Sequence, residues 1–125
     1  MRATTKKLAA TTEFTTAEHC HIHELSSGAD DKALSIARAR VEPGVTTQWH
    51  RLNDVSERYC IISGKGRMEL EGLEPAEVTA GDVVLIPAGV QQRITNTGET
   101  DLLFFCVCLP RFSADCYEDT EPGPA

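Results

Sequence analysis

The stretch Gly44-x5-His50-x-Leu52-x4-Glu57-x6-Gly64 decides the fold. It reads as two antiparallel strands joined by a short loop at Leu52 to Ser56. Alternate side chains of a strand share a face. His50 and Leu52 therefore point one way on the first strand, and Glu57, Tyr59 and Ile61 point one way on the second. If the loop turns the strands back on each other, His50 and Glu57 meet. An imidazole and a carboxylate converging inside a barrel are two parts of a divalent-metal site. Two ligands do not complete such a site, so the rest of the chain has to supply the others.

Downstream, Arg58 to Ile62 is a strand by its β-branched and aromatic content. Gly64-Lys65-Gly66 reads as a tight hairpin turn, with Arg67 to Glu71 as the return strand. Turns at Gly72 to Pro75, Gly81-Asp82, Pro87-Ala88-Gly89 and Asn96 to Glu99 set off four more extended pieces. These are Glu77 to Thr79, Val83 to Ile86, Gln91 to Thr95, and Leu102 to Leu109, the most apolar of them. Upstream, Ala33 to Val41 alternates, with Ala37, Ala39 and Val41 inward and Ile36, Arg38 and Arg40 outward. The sharper alternative has Arg38 and Arg40 lining a site and holding an anion. Short strands at roughly 8–12-residue spacing, punctuated by Gly and Pro, define an all-β sandwich or barrel.

At 125 residues the chain is one domain with room for a core. Its net charge of -7 argues against a nucleic-acid partner, which needs a basic face. No apolar run approaches the roughly 20 residues that span a bilayer, and the N-terminus shows no secretory pattern. The expected compartment is the cytosol. Cys20, Cys60, Cys106, Cys108 and Cys116 form an odd set without a CxxC pair, so no disulfide framework is expected. Cys106 and Cys108 face the same way, as buried thiols or, alternatively, as ligands.

Residues 1–17 read as an N-terminal arm or edge strand, 18–112 as the barrel, and 113–125 as an acidic, Pro-containing tail whose last residues are mobile. In Glu18 to Leu25, His19, His21 and His23 alternate. They make either a metal-binding face or the wet side of an edge strand. One of them reaching the barrel interior would supply a missing ligand.

The motif residues carry a family resemblance. Gly44, His50, Glu57 and Gly64 match the first motif of the cupins, and Gly81, Pro87, Gly89 and Asn96 match the second. Sixteen residues separate Gly64 from Gly81, close to the spacing of small single-domain members. The chain resembles a cupin 2-type protein, which implies a jelly-roll β-barrel. In the family, two His and one Glu of the first motif and one His of the second hold a metal. Here Leu52 stands where the second His belongs and Gln92 where the last one belongs. The resemblance thus implies a reduced metal set of His50, Glu57 and Gln92, an amide oxygen being a weaker donor than imidazole. The ion would be Fe, Mn, Ni or Zn; no organic cofactor is implied. The alternative is that His50 and Glu57 anchor an organic ligand with no metal at all.

By parity Tyr59, Ile61, Ile94 and Leu52 continue the lumen wall, a mixed surface suited to a small molecule. Trp49 and Arg51 flank His50 on the opposite face, where Trp49 packs at a sheet or subunit interface. Small cupins also imply a homodimer. Three functions follow. The first is a metal-dependent enzyme of dioxygenase, isomerase or decarboxylase type, with Glu57 or Tyr59 moving the proton. The second is a metabolite-binding sensor without metal. The third is an interaction module with a collapsed lumen.

Overall fold

The computed structural model describes residues 1–122. Through them run β1 (Phe14–Thr15), β2 (His21–Ser26), β3 (Ser35–Val41), β4 (His50–Leu52), β5 (Ser56–Ser63) and β6 (Lys65–Leu70). They are followed by β7 (Ala76–Thr79), β8 (Val83–Ile86), β9 (Gln92–Asn96), β10 (Leu102–Leu109) and β11 (Tyr117–Asp119). The strands form two antiparallel sheets, one ordered β1-β2-β3-β10-β5-β8 and the other β11-β4-β9-β6-β7. No α-helix occurs among the described residues. This is the all-β sandwich that strand spacing and turn residues implied, in the jelly-roll form that the family resemblance implied.

The core lies between the inward faces of the sheets. Ala39 and Val41 of β3, Ile61 of β5, Met68 of β6, Ile94 of β9 and Leu102 and Phe104 of β10 are all buried there. Each of these side chains larger than Ala39 contributes about 1.5–3 kcal/mol by leaving water. A smaller cluster joins Leu52 and Val55 to Cys108 and Cys116. The period-2 pattern predicted which residues face in, and the second half of β3 follows it: Ala39 and Val41 are buried while Arg38 and Arg40 face out, but Ile36, expected outward, lines the cavity.

Two joints differ from the sequence reading. β4 and β5 do not pair with each other: β4 belongs to the five-stranded sheet and β5 to the six-stranded one. The loop between them carries the chain across the sandwich, with Asp54 in the left-handed region at φ 63°. His50 and Glu57 therefore approach from opposite sheets, not from neighbouring strands. The turn at Gly64 is likewise no hairpin. β5 and β6 lie in different sheets, and Gly64, at φ 90°, is the single residue between them. A side chain there would put its Cβ 2.7 Å from the Asp101 carbonyl oxygen. Only glycine combines that φ with that approach. Gly81 and the Pro87–Gly89 turn mark the next two crossings, so the motif residues are the corners of the roll.

Segments near both ends are built into the sheets. β11 pairs with β4 in the register Tyr117↔Leu52 and Asp119↔His50, so the acidic tail supplies an edge strand. The expected mobility of the final residues concerns 123–125, outside the described residues. At the other end β1 pairs with β2. Arg40 on the outer face clamps Glu13 through Nη2–Oε1 at 2.7 Å and Nε–Oε2 at 3.0 Å, holding the N-terminal segment down.

Candidate functional site

Between the sheets lies a cavity of about 130 Å³. That is roughly ten times the ~10–15 Å³ that admits one water, room enough for a small molecule. His50 and Leu52 enter it from β4, Glu57 and Tyr59 from β5, and Cys106 and Cys108 from β10. Strand parity set each of these faces. Gln92 is fully buried behind this wall and directly opposes His50 in the β4–β9 register.

The polar groups form a chain of hydrogen bonds. Tyr59 Oη donates to Gln92 Oε1 at 2.6 Å, and Gln92 Nε2 donates to Glu57 Oε1 at 2.9 Å. Among the described residues the hydrogen-bond partner of Glu57 Oε2 is the Cys108 thiol, at 3.6 Å. Burial pushes the Glu57 carboxyl above its usual range, against the opposing pull of Gln92 and His50. Burial likewise lifts the Tyr59 phenol well above its ordinary value, so Tyr59 stays a neutral donor. Its ring packs on Phe104 with centroids 4.4 Å apart.

His50 is held from three sides. Its Nδ1 lies 2.7 Å from the Gln48 carbonyl oxygen, which can only accept, so Nδ1 carries the hydrogen. The ring stacks on Tyr117 of β11 with centroids 5.1 Å apart and planes at 19°. Its Nε2 faces Glu18 Oε2 at 3.4 Å. Among the described residues His50 and Glu57 make no hydrogen bond to each other; each has its own partners and a face on the cavity.

Glu18 escaped the sequence reading. It sits in the turn between β1 and β2, which is pinned by the bonds from Thr16 N to Cys20 O at 2.8 Å and from Gln48 N to Glu18 O at 3.1 Å. Burial raises its carboxyl as well, with His50 opposing. The alternation from Glu18 to Leu25 carried the signal: the imidazoles take the wet side of the edge strand, one of the two readings, and the opposite face turns inward. His21 bonds Thr15 at 2.8 Å and Glu42 at 3.2 Å, and His23 bonds Thr11 at 2.6 Å, all on the outside. None of the three lines the cavity; the residues between them, Glu18, Cys20, Ile22 and Glu24, do. Arg38 and Arg40 stay outside too. Burial raises the thiols of Cys20, Cys106 and Cys108 far above their usual range, leaving them neutral. Trp49 lies away from the cavity under the Arg93 guanidinium, 4.6 Å from its ring centroid.

The donor set can be weighed against a metal. Leu52 fills one ligand position with hydrocarbon, and both ends of the Gln92 amide are engaged within the protein. Among the described residues no group of three or more His, Cys, Asp or Glu side chains is spaced to hold an ion.

A family model described as "Cupin domain" matches residues 37–108, more than half of the chain, and the protein belongs to that family. An uncharacterized protein of Methanocaldococcus jannaschii is 37% identical over 87 residues, 70% of this chain and 66% of the relative. An oxalate-binding protein of Thermotoga maritima is 35% identical over 88 residues, 70% of this chain and 72% of that protein. The crystal structure of a predicted oxalate decarboxylase from Thermotoga maritima superposes with a TM-score of 0.76 at 26% identity, covering 86% of this chain and 99% of that one.

Proposed function

We propose that this cupin binds a small molecule in its lumen through its own side chains, with His50, Glu57 and Glu18 as the working groups and no metal required. Of the two readings left open by the reduced motif, the metal-dependent enzyme and the metal-free binder, the donor set favours the second. The observation that carries it is the Tyr59–Gln92–Glu57 chain. It spends the amide that would have been a ligand on fixing Glu57 beside an open cavity.

A proton-transfer role for the same groups has its own support. His50 Nε2 and Glu18 lie within ion-pair reach and both face the lumen. A bound molecule placed there would meet a paired acid and base. Tyr59, whose hydroxyl is committed to Gln92, orients Glu57 and does not itself move a proton.

The working unit in this reading is a homodimer. Val83 and Leu85 of β8, Ile62 of β5 and Phe105 of β10 sit exposed on the outside of the six-stranded sheet, Leu85 at 68%. Such a contiguous apolar face is what a second copy covers. Five unpaired thiols fit a reducing compartment such as the cytosol.

The test is a thermal-shift screen of small metabolites on full-length protein in excess EDTA. A ligand whose stabilisation survives chelation and disappears in His50→Ala supports the reading. Stabilisation that appears only with added metal overturns it.

A further inference from the structure

The lumen's charge and hydrogen-bonding pattern narrow the guest further, and this step rests on the small-molecule reading above. We propose that Glu18 makes the cavity a site for an uncharged, hydroxyl-bearing molecule, held between the Glu18–His50 pair and Glu57, and that small carboxylates are rejected.

The first ground is charge. Three carboxyl side chains, Glu18, Glu24 and Glu57, line the cavity, and among the described residues lining it there is no Lys or Arg. Arg38 and Arg40 lie on the outer face, where Arg40 is taken up by Glu13 and Asp101. An anion entering this space leaves water and finds no fixed positive charge. The imidazole of His50 on this wall already faces a carboxyl of the protein. Burying an unpaired charge is costly.

The second ground is the count of donors and acceptors. Nδ1–H of His50 is committed to Gln48, and its Nε2 faces Glu18 Oε2 at 3.4 Å, so a proton lies between the two. Among the described residues the Oε2 of Glu57 has one hydrogen-bond neighbour, the Cys108 thiol at 3.6 Å. A carboxyl accepts through its oxygens and, when it carries the proton, donates as well. A hydroxyl donates and accepts at once and so meets either form. A carboxylate brings no donor, and meets a lining carboxyl only where the two share a proton. The rest of the wall, including Ile22, Leu52 and Phe104, covers the carbon skeleton.

Glu18 is the selecting residue because it comes from outside the barrel motif, on a turn ordered by its own hydrogen bonds. The proposal separates this chain from its relative named as an oxalate-binding protein, although the two share 35% identity over 88 residues.

The experiment uses full-length protein at pH about 7.5 in EDTA, the ordinary range where free carboxylates are ionised. Binding of erythritol and ribose, of oxalate and malonate, and of 1,4-diaminobutane is measured by ligand-observed NMR and calorimetry. The polyols should bind and the dicarboxylates and diamine should not. Glu18→Gln should weaken the polyols at least about tenfold, the loss expected for one charge-assisted hydrogen bond. Glu18→Asp should recover part of that loss, and both variants should keep the wild-type melting temperature within a few degrees. Dicarboxylate or diamine binding that is lost in His50→Ala overturns this proposal and leaves the small-molecule site standing. No lumen-dependent binding by any probe overturns both.

Discussion

Gln92 stands opposite His50 across the β4–β9 register, and its amide accepts from Tyr59 and donates to Glu57. At this scale each side chain has a single task. Removing the Tyr59 hydroxyl leaves a fully buried carbonyl oxygen without a donor, so Tyr59→Phe should cost about 1–3 kcal/mol in denaturant unfolding. Glu57 gives a dependence on pH. Its carboxyl is held above its ordinary value of 4.5, so the folded protein keeps a proton that the unfolded chain releases. That contribution to stability is complete below 4.5 and is lost as pH rises through the folded value. Glu57→Gln, which cannot titrate, should therefore flatten the decline in melting temperature above pH 4.5; an unchanged slope would contradict the assignment. Parity made His50, Leu52, Glu57 and Tyr59 legible in the sequence. Glu18 was not legible, because alternation in Glu18 to Leu25 says that two faces exist and not which one turns inward.

At the scale of elements, the strands were readable and their partners were not. Composition and spacing located β3, β5, β8 and β10, by alternation in β3 and by concentrated β-branched, aromatic and apolar residues between turn residues in the others. Periodicity fixes a face, not a neighbour. The chain crosses between sheets at Asp54 and Gly64, where a hairpin was the simpler expectation. Gly64→Ala tests the corner. A residue held at φ 90° costs about 1–3 kcal/mol, and its Cβ would also press on the Asp101 carbonyl. The variant should melt well below wild type, whereas Gly44→Ala, with no atom near its Cβ, should lose less. The tail was the other surprise. Only tertiary packing shows that Tyr117 stacks on His50 and so brings β11 to the cavity wall.

At the scale of the molecule, the fold class and the family were both legible, because motif glycines and the proline are corner residues and corners are few. Which guest the barrel holds was not, since that depends on what the lumen lacks as much as on what it contains. The exposed row of Val83, Leu85 and Phe105 leads to one expectation here: Leu85→Lys should shift sedimentation from dimer to monomer without changing the lumen chemistry. The central claim is that Leu52 and Gln92 have turned a metal barrel into one that works without an ion. It is tested most directly by titrating metal-stripped protein with Mn, Fe, Ni and Zn ions in a calorimeter, beside a Leu52→His/Gln92→His variant. The account predicts no saturable site in the wild type and one site in the double variant. A near-stoichiometric site in the wild type that is lost in His50→Ala would contradict it.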